Sequence, residues 1–161
     1  MFLSLMDIFQ EIGGRTRVRT CGLLVQESSL LMVNHRGLYG HDFWSPPGGG
    51  LEYRDSVIAN LKREFLEECG LEIEPAEFRF ACNVVRPKLH AVELFYTVIK
   101  TGGKLTTGAD PEYGNNQIIT DVRFISFDEI LSMPPDWVHP LFIKLKNPAE
   151  IMEFKGFMEF T

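Results

Sequence analysis

Two early runs, Arg17–Val25 and Ser29–Val33, are rich in β-branched and apolar residues. A short polar turn separates them, and each reads as a strand. Asn34–Pro47 reads as a loop punctuated by Gly37, Gly40, Pro46 and Pro47, and three glycines, Gly48–Gly50, follow. Ser56–Cys69 is the clearest helix: Asp55 or Ser56 can cap its start, and Ile58, Leu61 and Phe65 recur at helical spacing beside Val57. Gly70 stands where a left-handed C-terminal cap is expected. Phe78–Val85 and His90–Lys100 read as strands, Thr101–Asn116 as a loop marked by Gly102, Gly103, Gly108 and Pro111, and Ile118–Phe127 as a further strand. Asp128–Ser132 and Pro140–Lys146 predict short helices, while the apolar tail Ile151–Phe160 fits neither period. Strands on both sides of one central helix predict an α/β class with helices packed on a mixed sheet.

Length and composition narrow this picture. A chain of 161 residues suits one domain with its own core, and no repeat, low-complexity tract or linker divides it. The reading is a single domain over 1–161, with 1–16 as an N-terminal arm and 147–161 as a C-terminal tail. The formal net charge of -6 argues against a nucleic-acid-coating surface, which needs a basic face. The start, Met1–Phe9, lacks a basic region and a cleavage site, and no apolar run is long enough to span a bilayer, so no membrane partner is expected. Three cysteines, Cys21, Cys69 and Cys82, form no C-x-x-C pair, which points to a reducing, cytoplasmic setting.

The chemistry concentrates on the central helix. Glu64, Glu67 and Glu68 stand at i, i+3 and i+4 and share one helix face. Like charges at that spacing repel by roughly 0.2–0.5 kcal/mol per pair. The negative end of the helix dipole costs each carboxylate about 0.3–1 kcal/mol more. Lys62 and Arg63 offset only part of this; a divalent cation reverses both effects, and an oxygen-only cluster suits magnesium, with manganese as the alternative. A solvated acidic face is the plain alternative for the triplet alone. The glycines just upstream add a backbone that a ligand can approach closely.

Together these residues resemble the Nudix box over Gly49–Leu71: Gly49, five residues, Asp55, seven residues, Arg63-Glu64, Phe65, Leu66, Glu67-Glu68, Cys69, Gly70, Leu71. Two positions depart from the pattern: Asp55 replaces the usual Glu, and Arg54 stands where Gly is common. Phe43–Pro47 and Asp121–Ile130 are also similar to the family, so the resemblance covers roughly 18–131. It implies a Nudix-type α/β/α sandwich and metal-dependent hydrolysis of a diphosphate bond in a nucleoside diphosphate linked to another group. It implies Glu64 and Glu68 as metal ligands, Glu67 as a ligand directly or through water, the Gly48 carbonyl as a further ligand, Arg63 as the residue orienting the carboxylates, and Asp55 as mainly structural.

The general base lies outside the box in many members, and Glu112 in Asp110–Gly114 occupies the corresponding loop. Glu93, which interrupts an apolar strand, is the second candidate, with an extra ligand or substrate contact and an ion pair with a neighbouring arginine as its alternatives, and Glu67 is a further catalytic candidate should Glu112 not serve. Arg36 and Arg86 are candidate phosphate contacts, and Trp44, Phe43 or Tyr113 candidate stacking partners for a base, with core packing the competing role for Trp44. His41, His90 and His139 show no metal-ligand spacing. Pro87, sixteen residues beyond Leu71, resembles a feature of ADP-ribose hydrolases and is equally a turn residue. The expected partner is therefore a small nucleotide, ADP-ribose-like. Modified nucleoside triphosphates, a non-catalytic nucleotide-sensing module and an isoprenoid diphosphate isomerase are the alternatives. The apolar arm and the tail residues Phe154, Phe157 and Phe160 can close a homodimer or cover the sheet.

Overall fold

The computed structural model describes residues 14–86, 89–109, 111 and 117–161. Most of the N-terminal arm, together with Pro87, Glu112 and Tyr113, lies outside the described residues. Two sheets form the centre. The first contains β1 (Thr16–Leu23), β5 (Gly48–Gly50), β6 (Leu71–Arg86), β7 (Leu89–Gly103) and β9 (Gly156–Phe160) in the order β5-β1-β7-β6-β9. It is mixed: β1 runs parallel to β7 and β6 parallel to β9, while β1/β5 and β6/β7 are antiparallel. The second contains β2 (Val25–Gln26), β3 (Ser29–Asn34), β4 (Trp44–Ser45) and β8 (Asp121–Ser126), all antiparallel to β3.

The helices are α1 (Arg36–Tyr39), α2 (Val57–Cys69), α3 (Phe127–Ser132) and α4 (Leu141–Lys144). Two apolar clusters lie on opposite sides of the sheets, and β3 feeds both by strict alternation: Leu30 and Met32 enter one, Leu31 and Val33 the other. α2 closes the second cluster with Leu61, Phe65 and Cys69, and α3 and α4 close the first with Ile130, Leu141 and Phe142. Helices therefore cover both sides, giving the expected α/β/α sandwich with a mixed sheet.

Four differences from the sequence-based expectations have local causes. The first predicted strand breaks at Leu24, where the chain passes from one sheet to the other. The three glycines, to which the sequence assigns no element, are extended and pair with Arg19–Cys21 as an edge strand. β6 begins at Leu71, seven residues earlier than predicted, because register shifts around Pro75 accommodate the missing amide. The undecided tail ends in β9, which extends the first sheet beside β6.

Candidate active site

Each end of α2 is fixed locally. The Ser56 hydroxyl accepts the Ala59 N–H at 3.1 Å, and Gly70 takes φ +68° while its N–H returns to Phe65 and Leu66. The buried face differs from the predicted apolar stripe. Leu61 and Phe65 are fully buried, but Ile58 is exposed, and Asn60, Glu64 and Glu68 are buried in its stead. These three recur every fourth residue, so a polar stripe runs beside the apolar one.

That stripe meets the glycine strand. Leu51 N–H donates to Val18 O and Gly22 N–H to Pro47 O, so the intervening Cys21/Gly48 pair is a non-hydrogen-bonded one. Both polar backbone groups of Gly48 therefore point away from β1. Its N–H donates to Glu68 Oε2 at 3.0 Å, and its carbonyl accepts from Arg19 Nη2 at 3.1 Å. Gly48 needs to be glycine: its φ is +154°, and a Cβ would overlap the Thr20 carbonyl oxygen. A Cβ on Gly49 would occupy the place of the Glu64 carboxylate. Asn60 ties the strands to the helix by donating to Thr20 Oγ1 at 2.9 Å. The i, i+4, i+8 spacing of Asn60, Glu64 and Glu68 was the signal for its role.

Arg63 collects the acids. It donates to Glu67 at 2.8 Å, to Glu64 at 3.0 Å and to the Asn60 side-chain oxygen at 2.6 Å, and ion-pairs Glu52 at 3.6 Å and Asp55 at 4.0 Å. Partial burial opposes its charge, but Glu64, Glu67 and Glu52 outweigh that and raise its pKa further. Four carboxylates thus share one guanidinium, and two of the helix acids are almost wholly enclosed, Glu64 at 5% and Glu68 at 1% exposure. A hard, oxygen-only donor set this rich in negative charge fits a divalent cation such as magnesium.

The strand-to-helix turn carries one strained residue. Asp55 N–H returns to Glu52 O, and Arg54, at the place where Gly is common in the resembled motif, takes φ +72°.

The remaining candidates lie elsewhere. Glu93 is buried at 5% exposure, with Oε1 3.3 Å from Arg19 Nε and Oε2 2.6 Å from His139 Nε2. Burial works to raise its pKa, yet the His139 ring, the Arg19 guanidinium and the Cys82 thiol around it prevail and hold it at about 2. Burial, then Glu93, pushes the Cys82 thiol well above its ordinary range, so it stays protonated and donates to Glu93. Trp44 packs into the core at 3% exposure beneath the Arg123 guanidinium, rather than standing open to a stacked base, and Phe43 is likewise buried. Arg36 is exposed and ion-pairs Asp42 at 3.8 Å. Arg86 lines a separate cavity of about 470 Å³ with Lys144 and Phe160. Among the described residues, then, Gly48, Arg63, Glu64, Glu67 and Glu68 come together, while Arg36 pairs with Asp42, Arg86 lines the cavity beside Lys144, and Trp44 packs in the core.

The fold and this constellation have known counterparts. A family model described as NUDIX domain matches residues 15–145. A NUDIX hydrolase from Nitrosomonas europaea superposes with a TM-score of 0.70 at 18% identity, over 86% of this chain and 87% of that one. A UDP-X diphosphatase superposes with a TM-score of 0.66 at 15% identity, over 96% and 75% of the two chains. An ADP-ribose pyrophosphatase from Streptococcus suis does so with a TM-score of 0.57 at 21% identity, over 88% and 98%. No curated protein matches the chain in sequence. The chain belongs to the NUDIX family, and it shares its fold with the Nudix hydrolases it superposes on. Among the described residues no helix is long and apolar enough to cross a membrane.

Proposed function

We propose that this protein hydrolyses the diphosphate bond of a nucleoside diphosphate linked to another moiety, with an ADP-ribose-like substrate favoured. The observation that carries the reading is the pair of enclosed glutamates, Glu64 and Glu68, at the glycine strand, in a cluster where four carboxylates converge on Arg63. Glu64, Glu68 and the Gly48 carbonyl would hold magnesium or manganese, with Glu67 joining directly or through water. A divalent ion there neutralises diphosphate charge and makes bound water easier to deprotonate. Arg63 keeps the carboxylates aligned, and the side-chain-free strand lets phosphate oxygens approach the backbone. A cavity of about 570 Å³ beside that strand is lined by Arg15, Arg17 and Arg54 together with Glu52 and Asp55, and its three arginines are candidate contacts for an anionic substrate.

Glu112 is the proposed base. It lies outside the described residues, and its support is where the chain leaves off before it. Gly108 N–H donates to Glu68 O at 2.8 Å and Ala109 N–H to Glu67 O at 3.1 Å, so the chain at Gly108–Ala109, three residues before Glu112, lies against the last turn of α2. The substrate preference is supported by the fold shared with proteins described as an ADP-ribose pyrophosphatase and a UDP-X diphosphatase. Incubation with magnesium and a panel of dinucleotides, nucleotide sugars and nucleoside triphosphates tests it. ADP-ribose-like compounds are expected to yield mononucleotides; no release across the panel overturns the hydrolase reading.

A further inference from the structure

Beneath the glycine strand, on the sheet face opposite α2, lies a buried polar group that the proposed reaction does not use. Arg19, Glu93 and Cys82 are register partners on β1, β7 and β6, so their side chains form one row across three strands. His139 closes over the row from the segment before α4. Cys82, Glu93 and His139 bring one ligand-type atom each within 4.8 Å of one another, which is metal-like spacing. The hydrogen bonds argue otherwise. Leu141 N–H donates into His139 Nδ1 at 3.2 Å, so the ring proton sits on Nε2 and points at Glu93, 2.6 Å away. A metal on Nε2 would force a proton onto Nδ1, against the Leu141 N–H. Arg19 also already supplies the cation that Glu93 requires.

The row reaches the glycine strand through Arg19. With its Nε side at Glu93, Arg19 directs Nη2 to the Gly48 carbonyl at 3.1 Å. Glu68 holds the Gly48 N–H from the other side at 3.0 Å. The carbonyl has two lone pairs, and Arg19 takes one. We infer that Arg19 is a positioning residue, held by its ion pair with Glu93, which His139 in turn hydrogen-bonds, and that it fixes the direction of the Gly48 carbonyl so that its second lone pair remains for the metal. This rests on the proposed reading of Gly48 as a ligand. It assigns Glu93 a role behind the site rather than as base or ligand.

The sign of one measurement separates positioning from simple electrostatics. A guanidinium beside a metal site repels the ion, so removing it tightens binding if charge is all that matters. Removing a clamp on a ligand loosens binding. The experiment is titration of Mn²⁺, read by the electron paramagnetic resonance of the free ion, into wild type, Arg19→Met, Arg19→Lys and Glu68→Gln. Arg19→Met is expected to bind Mn²⁺ about 10-fold more weakly, the usual scale for loss of a group that orients a ligand. Arg19→Lys keeps the charge but cannot reach Glu93 and Gly48 with a rigid fork, so it too is expected to weaken binding, by less. Equal or tighter binding in Arg19→Met overturns the inference; if that variant does not fold, unchanged affinity in Arg19→Lys overturns it. Wild type that binds no Mn²⁺ brings down the proposed function itself. Wild-type binding that is lost in Glu68→Gln but unaltered at Arg19 brings down this inference alone.

Discussion

The two faces of the five-stranded sheet handle buried charge in opposite ways, and Gly48 touches both. On the α2 face, Glu52, Asp55, Glu64 and Glu67 share Arg63. On the other face a single acid, Glu93, sits between Arg19 and His139 with a thiol beside it, each oxygen engaged. The second arrangement balances within the chain, as a dry interior demands. In the first, four carboxylates converge on one guanidinium, an arrangement that accords with the proposed cation site. A buried acid is therefore informative only with its partners counted: Glu93 and Glu68 have similar exposure and different meanings.

Breaking the junction should have the largest effect. In Gly48→Ala the new Cβ meets backbone on β1, which can yield only if the strands separate. A loss of about 3 kcal/mol or more in urea unfolding is expected, from overpacking plus a disfavoured φ. In Gly49→Ala the clash is with the side-chain carboxylate of Glu64 rather than with backbone, so the melt should change less while Mn²⁺ binding falls. Similar melts for the two variants would contradict the view that Gly48 joins the faces rigidly.

Next comes charge on the α2 face. Glu68→Gln retains an oxygen for the Gly48 N–H and removes one negative charge. Steady-state turnover is expected to fall by about 10³-fold, while the metal-free protein melts at the same temperature or higher, because like-charge repulsion is relieved. Retained turnover would remove Glu68 from the ligand set.

The opposite face should answer to acid instead. The folded-state pKa of Glu93 is depressed from 4.5 to about 2. Its contribution to stability is thus fully present above about 4.5 and lost as pH falls through about 2; the full shift corresponds to on the order of 3 kcal/mol. Glu93→Gln should be less stable than wild type at pH 6, with the gap closing towards pH 2 in a series of urea melts. A gap independent of pH would mean that the carboxylate is not held ionised by Arg19 and His139.

The smallest effect tests the turn between them. Arg54 in the left-handed region is costly for a side chain, and glycine removes that cost while adding freedom to the unfolded chain. Arg54→Gly should gain about 0.5 kcal/mol, visible as a small rise in the urea midpoint. A loss would indicate that the arginine side chain contributes more than its backbone costs.

These regions also differ in how far they could be read from residues alone. The α2 site was legible because two codes coincide in a short segment: helical period and the chemistry of Glu64, Glu67 and Glu68. Asn60 carried the same period but no charge, so it passed unnoticed. The pairing of Gly48–Gly50 with β1 was hidden because residues without side chains show no alternation. The Arg19–Glu93–His139 row joins distant segments through strand register, which one sequence does not encode. Glu93 was visible as an acid in an apolar strand, with an arginine partner among its alternatives, but nothing marked Arg19 or His139 as its neighbours. β6 and β9 were obscured by Pro75 and by a tail whose apolar residues follow no clear period.

The loop after β7 has a consequence for how the site opens. Thr106, Gly108 and Ala109 give their amides to the carbonyls of Cys69, Glu68 and Glu67, groups that a helix end leaves without partners. The loop thereby completes the last turn of α2, and neither can fray without exposing the other's polar groups. Amide hydrogen exchange in 106–109 and in the final turn of α2 would then report a single opening event.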